Sequence, residues 1–273
     1  MTEQAERYDR IADGYARWWG PIIAPAALRV LDEIEDAVAG GATRLLDVGT
    51  GTGTLAMAAL RRWPSVEVTG IDASAGMIAR ASAAADADLT PDERRRLTLR
   101  VAFADDLPLP DGSIDVAVSS FVLQLVPNRF HALREVHRVL RHSATFAWIS
   151  WLAGSRPWLP DDDFDDALED VDEEPRDWGD GANDDLRDEE SAIAQMRRAG
   201  FADVRARAGR LVHPFDVDGA VGFLTEFDEE DLVASLGERR PPFESALRRR
   251  LGRRPVSELA LANATVTVRG IRR

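Results

Sequence analysis

Residues 45–53 read LLDVGTGTG, and this stretch decides the fold. Its apolar beginning belongs to residues 44–48, a short run typical of strands that are buried on both faces of a sheet. The glycines then lead directly into a helical pattern over residues 54–63. Glycine lets the backbone come close to a ligand because it has no Cβ atom. We therefore predict a strand, a ligand-binding turn and a helix in direct succession.

The spacing of the glycines indicates which ligand the turn suits. Gly49, Gly51 and Gly53 form a Gly-x-Gly-x-Gly pattern. Dinucleotide sites have Gly-x-Gly-x-x-Gly, and Thr54 stands here where their third glycine would be. Asp47 precedes the first glycine, where its charge would repel a pyrophosphate and attract an ammonium group. An aminoacyl ligand therefore fits better than a dinucleotide, and an NAD(P)-dependent oxidoreductase is the less favoured alternative.

A carboxylate stands at the end of the next predicted strand. Residues 66–71 form that strand, and Asp72 follows 19 positions after Gly53. In doubly wound nucleotide-binding folds a carboxylate here accepts hydrogen bonds from the ribose hydroxyls. The alternative role is an N-cap of the helix predicted over residues 75–87, for which Asp is also suited. We favour the ribose interpretation because Asp72 comes after the Gly-rich turn in the sequence.

Strand and helix patterns alternate along most of the chain. Further strands are predicted over residues 97–103, 114–119, 145–151 and 201–206, further helices over 128–141 and 189–199, and an edge strand over 264–268. Apolar strands that are separated by helices indicate a parallel sheet with both faces covered. We therefore predict an α/β, doubly wound fold.

The segments that flank this core define four predicted units. Residues 6–19 form a helix with an aromatic face that ends at Gly20-Pro21, and residues 223–251 predict helices over the pocket. We expect an N-terminal helical lid (1–42), a Rossmann-like core (43–154), an acidic insertion (155–188) and a C-terminal part of the core with a helical cap (189–273).

The charge of the chain is concentrated in one segment. The net charge is −14, and 17 of the 48 Asp and Glu residues fall between residues 161 and 190. At that charge density the segment has too little apolar surface to fold alone, so we expect a solvated loop. A substrate-gating lid that uses Trp158, Phe164 and Trp178 is the alternative. We also expect this segment to face the Arg-rich residues 239–254.

The composition disfavours several classes of protein. The chain has no Cys and only four dispersed His, so we expect no metal site. No apolar run reaches the roughly 20 residues of a membrane span, and the first residues are too polar for a signal peptide, so we expect a cytoplasmic protein. The dense Arg group lies far along the chain from the Gly-rich turn, so we expect no nucleic-acid partner.

Four motifs stand in register over residues 7–151: LLDVGTGTG, GIDASAGMIARA, ADDLPLPDGSIDVAVSSFVLQLVPN and ALREVHRVLRHSATFAWISW. Together they resemble the class I S-adenosylmethionine-dependent methyltransferases, specifically their ubiquinone/menaquinone-biosynthesis-like small-molecule branch. The resemblance implies a mostly parallel, seven-stranded, Rossmann-like methyltransferase sheet with S-adenosyl-L-methionine as cofactor. It implies O-, C- or N-methylation of a small molecule by in-line displacement, for which positioning supplies most of the rate. A catalytically silent S-adenosylmethionine-binding regulator is the alternative, and a monomer or homodimer is expected.

The resemblance also implies a set of cofactor contacts. The glycines of the turn would pack against the methionine part, Asp72 would bind ribose, and Met77 would lie near adenine. The full expected set is Asp47, Gly49, Thr50, Gly51, Gly53, Asp72, Ala73, Met77, Phe103, Ala104, Asp105, Ser119 and Phe121.

Two departures from the family pattern concern adenine and a turn. Relatives usually have Asp where this chain has Phe103, so either Asp105 accepts from the adenine amino group or Phe103 packs on the base. The family's Pro-Gly-Gly turn before the fifth strand is replaced by residues 142–144 (HSA), so we expect a turn of different shape.

The acceptor is expected beyond the carboxyl ends of the strands. Tyr8, Trp18 and Gln124 are the candidate acceptor contacts. A catalytic base is required only if the acceptor must lose a proton, and the candidates for that role are His213 and Tyr15.

Overall fold

The computed structural model describes residues 3–155, 157–176 and 185–273 of the chain. The strands within these ranges are β1 (Arg44–Val48), β2 (Glu67–Asp72), β3 (Leu97–Val101), β4 (Ile114–Ser120), β5 (Leu140–Trp151), β6 (Phe201–His213) and β7 (Leu261–Arg272). They form a sheet in the order β3-β2-β1-β4-β5-β7-β6. The first five strands pair in parallel, and β7 pairs antiparallel with β5 and β6. The prediction of a doubly wound, mostly parallel, seven-stranded sheet is confirmed.

Helices cover both faces of this sheet. In the described ranges they are α1 (Glu3–Gly14), α2 (Gly20–Ala27), α3 (Glu35–Ala39), α4 (Thr54–Arg62), α5 (Ala75–Asp88), α6 (Pro91–Arg95), α7 (Arg129–Val139), α8 (Leu159–Glu169), α9 (Glu189–Arg198), α10 (Val217–Phe223), α11 (Glu230–Ser235) and α12 (Arg240–Leu251). Leu45 of β1 packs into the apolar core on one face, and Leu46 packs into the core on the other. Because both faces are buried, β1 is apolar at successive positions.

The order of the strands determines where a ligand can bind. β1 pairs with β2 on one side and with β4 on the other, so the chain reverses direction across the sheet after β3. In open parallel sheets the crevice at the carboxyl ends of the strands beside such a reversal is the usual binding site. The Gly-rich turn that follows β1 lies at this point.

The N-terminal helical segment continues past its predicted end. A π-helical turn, Tyr15–Trp19, connects α1 to α2, in which Pro21 occupies the first turn. The predicted stop at Gly20-Pro21 is wrong for two reasons. The Gly20 N–H bonds to the Tyr15 carbonyl oxygen, and Pro lacks only an N–H that the first turn of a helix does not use.

The acidic segment is folded where it is described, so the solvated-loop prediction is wrong there. Residues Leu159–Glu169 form α8, and the fully buried Phe164 meets Phe243 of α12 edge to face, with ring centroids 5.0 Å apart. Trp158 is also buried, and its Nε1 donates to the Leu259 carbonyl oxygen at 3.0 Å. These aromatic side chains anchor the segment to the core, whereas Trp178 lies outside the described residues.

Opposite charges explain how so acidic a segment can pack. Arg250 of α12 pairs with Asp166 at 2.8 Å and with Asp170 at 3.0 Å. Arg254 pairs with Asp163, which is almost completely buried. The prediction that the acidic segment faces the Arg-rich segment is therefore confirmed.

The last two strands differ from their predictions in position and length. β6 is longer than residues 201–206, and residues 264–268 belong to β7, which lies between β5 and β6 rather than at an edge. Val266 and Val268 are fully buried, as an inner strand requires. β5 begins at Leu140, before the predicted residue 145, and its pairing with β4 shifts register near Ser143, whose φ is 65°. The altered turn is thus an irregularity within β5.

Candidate functional site

A cavity opens at the carboxyl ends of β1, β2 and β4, with an empty volume of about 1090 Å³ that includes the solvent space at its mouth. The Gly-rich turn and the ends of β2 and β3 form one side, and the residues after β4 form another. The N-terminal helical segment closes the cavity from above. The expected site residues that line it are Tyr8, Tyr15, Gly49, Thr50, Gly51, Asp72, Ala73, Met77, Phe103, Ala104, Asp105 and Phe121.

The glycines of the turn all adopt left-handed backbone conformations. The φ angles are 70° at Gly49, 52° at Gly51 and 86° at Gly53, a region that favours glycine. A Cβ atom on Gly49 would lie 2.2 Å from the side chain of Val122, so no other residue fits there. A Cβ atom on Gly51 would meet no atom within 4 Å. The turn therefore presents open space beside Gly51, where a ligand can approach the backbone.

Asp47 lies buried beneath the turn, outside the lining of the cavity. Its Oδ2 accepts a hydrogen bond from the Thr50 hydroxyl at 2.7 Å. Its Oδ1 is also buried and has no hydrogen-bond partner among the described residues. Burial, with a smaller contribution from the charge of Asp72, raises the pKa of Asp47 to about 7.

Asp72 connects the Gly-rich turn to the start of α5 through hydrogen bonds. One carboxylate oxygen accepts from the Gly51 N–H at 2.8 Å, and the other accepts from the Ser74 N–H at 2.9 Å. An ionised carboxylate offers about four acceptor positions, more than these two bonds use. Burial raises the pKa of Asp72, and the nearby charge of Asp9 adds to the increase.

The N-cap alternative for Asp72 is wrong, because Ser74 occupies that position. The Ser74 hydroxyl oxygen accepts from the Met77 N–H at 3.0 Å at the start of α5. Asp72 is thus left to face the cavity.

The cavity is also lined by Met77, Phe103 and Asp105. Met77 is fully buried, whereas Asp105 is exposed to solvent. Both candidate partners for an adenine ring, Phe103 and Asp105, therefore line the same cavity.

Aromatic side chains also line the cavity. The rings of Tyr8 and Tyr15 meet edge to face, with centroids 5.9 Å apart. Phe121 follows β4 and packs on Trp151, with centroids 4.1 Å apart. Its φ of 55° is unusual for a bulky residue, and such strain is concentrated at functional sites. Burial raises the pKa of the Tyr15 hydroxyl, and Tyr8 and Asp72 add to the increase, so this phenol stays protonated.

Several expected site residues lie outside this cavity. The Ser119 hydroxyl is buried and donates to the Val48 carbonyl oxygen at 2.8 Å. Gly53 packs against α5, and the Gln124 side chain accepts from Ser150 at 2.8 Å. Trp18 and His213 line a second, more open pocket of about 620 Å³. Neither residue lines the cavity.

The sequence also left some lining residues unidentified. They come from the N-terminal helices and from the loop after β4, and include Gln4, Ala5, Ile23, Ala24, Ala27, Leu125 and Val126. Small and aliphatic side chains carry no chemical signal of a site.

The described residues show neither a metal site nor a membrane span. No group of three or more His, Asp or Glu residues is placed to hold a metal ion in these ranges. No helix within them is long and apolar enough to cross a membrane.

Residues 46–148 match the family model of the methyltransferase domain. These residues begin in β1 and end in β5, so the match covers the strands that build the cavity. Over residues 46–148 the chain is therefore similar to a methyltransferase domain. The ubiquinone/menaquinone biosynthesis C-methyltransferase UbiE of Citrifermentans bemidjiense is 37% identical to this chain over 123 residues, 44% of this chain and 49% of that protein.

Other similar proteins agree with the methyltransferase domain. The 27-O-demethylrifamycin SV methyltransferase of Amycolatopsis mediterranei is 31% identical over 159 residues, 54% of this chain and 57% of that protein. This chain thus spans about half the length of the curated relatives that it matches. The crystal structure of the YcgJ protein of Bacillus subtilis superposes with a TM-score of 0.57 at 19% identity, over 91% of this chain and 98% of that one, which shows the shared fold.

Proposed function

We propose that this protein transfers a methyl group from S-adenosyl-L-methionine to a small, apolar acceptor molecule. One observation carries the proposal: a single cavity is lined by the Gly-rich turn and Asp72 together with the aromatic side chains of Tyr15 and Phe121. The residues expected to hold the cofactor and those expected to meet the acceptor therefore surround one space. The methyltransferase-domain match over residues 46–148 supports this assignment.

The residues at the turn fit S-adenosyl-L-methionine. The open space beside Gly51 admits the methionine part, and the carboxyl group of Asp47 beneath the turn places negative charge near its ammonium group. The remaining acceptor positions of Asp72 suit the ribose hydroxyls. Met77 and Phe103 offer apolar contact to adenine, and Asp105 offers an acceptor for its amino group. When bound, the cofactor supplies a methyl group on a positively charged sulfur.

The charge of the cavity supports this ligand. None of the lining residues in the described part of the chain is Arg, Lys or His, whereas Asp72 and Asp105 both line it. Asp47 adds a third carboxyl group beneath the turn. A site lined by one sign of charge favours ligands of the opposite sign, here an ammonium and a sulfonium.

The apolar and aromatic side chains that line the cavity indicate the chemistry of the acceptor. Ile23, Leu125 and Phe121 give it an apolar wall, and the Tyr15 hydroxyl is its polar group. We propose that Tyr15 donates a hydrogen bond that orients the acceptor, because a phenol with a raised pKa is a donor at neutral pH. The acceptor is therefore uncharged or carries its charge on the reacting atom. The other candidate base, His213, would act only on an acceptor that extends to the second pocket.

The names of the similar proteins bear on the atom that is methylated. One relative is named as a C-methyltransferase, and the other is named for a 27-O-demethyl compound. These names support carbon or oxygen as the accepting atom, with nitrogen as the remaining option.

We also propose that the protein acts in the cytoplasm, as a monomer or homodimer, without a nucleic-acid partner. The pairing of Arg250 and Arg254 with carboxylates of the acidic segment supports the last point, because those charges are already neutralised. Light scattering after size exclusion and titration with duplex DNA and RNA test the oligomeric state and the nucleic-acid expectation.

The experiment that tests the proposed function has two steps. Calorimetric titration with S-adenosylmethionine, S-adenosylhomocysteine and NADH should show binding of the first two alone. Incubation with methyl-labelled cofactor and a panel of hydrophobic phenols, quinols and carboxylic acids should then label at least one acceptor. Binding of NADH alone would overturn the proposal. Cofactor binding without turnover, even on extension of the panel, would favour the silent regulator.

A further inference from the structure

The N-terminal helix α1 contacts the cofactor side of the cavity with one part of its surface. Gln4, Ala5 and Tyr8 of α1 line the cavity, and Ala5 is buried. Asp9, the next residue after Tyr8, turns instead toward the start of α5. Its Oδ1 accepts from the Ser74 hydroxyl at 2.6 Å and from the Gly76 N–H at 2.8 Å.

These bonds link Asp9 to the proposed ribose-binding carboxylate. Ser74 donates its hydroxyl to Asp9 and its backbone N–H to Asp72. Asp72 in turn accepts from the N–H of Gly51. A continuous series of hydrogen bonds thus runs from α1, through the N-cap of α5, to the middle of the Gly-rich turn. Bonds to ionised carboxylates are among the stronger hydrogen bonds in proteins.

The approach of α1 to α5 at this point is also unusually close. A Cβ atom on Gly76 would lie 3.1 Å from the Asp9 carbonyl oxygen and 3.2 Å from its Cα atom. Such contacts are tighter than side chains normally make, so a residue larger than glycine at position 76 requires α1 to move. The position of α1, and with it the position of Tyr8, therefore depends on this contact.

We propose that Asp9 is a positioning residue for cofactor binding, which fixes α1 as a wall of the cavity and acts on Asp72 through Ser74. The inference rests on the proposed function, since it assigns Asp9 a role at the same cofactor site. The favourable interaction of a carboxylate with a helix N-terminus keeps Asp9 in place on α5. Hydrogen bonds from Ser74 and Gly76 lower the pKa of Asp9, so it is ionised at neutral pH.

Substitution of Asp9 tests the proposal, with S-adenosylhomocysteine as the probe. Asp9→Ala should weaken binding by about tenfold and raise the dissociation rate, the size expected for loss of a bond to a charged group. Asp9→Asn keeps an acceptor oxygen without the charge, so its affinity should fall between those of wild type and Asp9→Ala.

A matched control exists on the same helix. Asp13 forms an ion pair with Arg80 of α5, at the same helix interface but away from Ser74 and Asp72. Asp13→Ala removes a contact between α1 and α5 and should change the affinity by less than about twofold. An equal loss in Asp9→Ala and Asp13→Ala would show general loosening of α1 and overturn the role of Asp9.

Gly76→Ala approaches the same contact from the other side. Alanine is a better helix former than glycine, which offsets part of the cost of this close contact, so the thermal stability of the protein should change little. Affinity for S-adenosylhomocysteine should nevertheless fall, because the new methyl group displaces Asp9. Unchanged affinity in this variant would contradict the proposal even if Asp9→Ala proved unstable.

A double-mutant cycle separates positioning from a structural role. If Asp9 acts through Asp72, Asp9→Ala should cost little further affinity in an Asp72→Asn background, whereas independent effects would multiply. Multiplying effects overturn the proposal. If the wild type itself does not bind S-adenosylhomocysteine, both the proposed function and this inference fail. If it binds and only the variants behave otherwise, this inference alone fails.

Discussion

Gly49 lies so close to Val122 that a Cβ atom on the glycine would be 2.2 Å from the valine Cγ2. This contact joins the turn after β1 to the loop after β4. Gly51 has a similar left-handed backbone, yet a Cβ atom there would meet nothing within 4 Å. The two glycines are therefore required for different reasons, one for packing and one for access.

Substitution of these two glycines should separate stability from binding. Gly49→Ala should lower the free energy of unfolding by roughly 2–5 kcal/mol, the combined effect of overpacking and left-handed strain. Gly51→Ala should lower the free energy of unfolding only by the left-handed strain, roughly 1–2 kcal/mol. The same variant should weaken S-adenosylhomocysteine binding, and Gly51→Val should abolish this binding. Urea denaturation and calorimetry measure the two quantities. Unchanged affinity in Gly51→Val would remove the turn from the site.

Asp47→Asn should make the unliganded protein more stable at pH 8 and weaken ligand binding. Burial raises the pKa of Asp47 to about 7, so the folded state favours the protonated carboxyl group. The stabilisation from this group is therefore full at pH 4 and is lost as the pH rises through 7. The melting temperature of Asp47→Asn should exceed that of the wild type at pH 8 by more than at pH 5. A gain that is equal at both pH values would show that Asp47 does not titrate in this range.

Arg176→Met should destabilise the contact between the acidic segment and the helical cap. The buried Arg176 side chain pairs with Asp165 at 2.7 Å and with Glu229 at 2.9 Å, and it also contacts Asp161. Removal of one partner from a buried ion pair costs roughly 3–5 kcal/mol. Burial raises the pKa of Asp161 to about 7, so the loss should be smaller at pH 5, where this carboxyl group takes up a proton.

The control for Arg176→Met is Arg250→Met. Arg250 also pairs with two carboxylates of the acidic segment, but its side chain is 29% exposed and those of Asp166 and Asp170 are 56% and 42% exposed. Exposed pairs contribute little, so its unfolding midpoint in urea should stay close to that of the wild type. Similar losses in both variants would mean that burial of Arg176 is not what matters.

Phe121→Gly should be more stable than Phe121→Ala by about 1 kcal/mol, the reverse of the usual order. Both variants lose a buried ring that packs on Trp151, so both should be less stable than the wild type. Only glycine relieves the left-handed backbone at this position. Denaturation of the pair measures the strain, and the usual order, with alanine the more stable, would show that none is present.

Tyr15→Phe should reduce the turnover of an identified acceptor more than His213→Ala does. Tyr15 lines the proposed acceptor end of the cavity, and the ring of His213 lies in the other pocket beside Phe215. S-adenosylhomocysteine binding should be nearly unchanged in Tyr15→Phe, because the ring is kept. A larger loss in His213→Ala, measured with the same acceptor, would assign proton removal to the imidazole.

The sequence predicted best those features whose chemistry is local. The Gly-rich turn, Asp72 and the apolar strand β1 are each specified by a few neighbouring residues, because backbone conformation and burial on both faces leave direct patterns. The same applies to Phe103 and Asp105, which follow β3 at a fixed point along the chain.

Features that depend on distant partners were not predictable in the same way. The negative charge of α8 argued against folding, because the residues next to it in the sequence do not show which partners it has. Arg250 and Arg254 neutralise part of this charge, and Phe243 covers Phe164. The π-helical turn that carries the N-terminal segment past Pro21 depends on a shifted backbone bond with no residue signature. The place of β7 within the sheet follows from strand order, which hydrophobic patterns do not encode.

The position of β7 between β5 and β6 has a consequence for how the protein is made. β6 precedes β7 along the chain, so during synthesis it has no neighbour in the sheet, and β5 presents a bare edge, until β7 has emerged. Unpaired edges of this kind invite association with other chains. Trp151, which supports Phe121, pairs with Thr265 of β7. The support of Phe121 by Trp151 is thus completed only after β7 has joined the sheet.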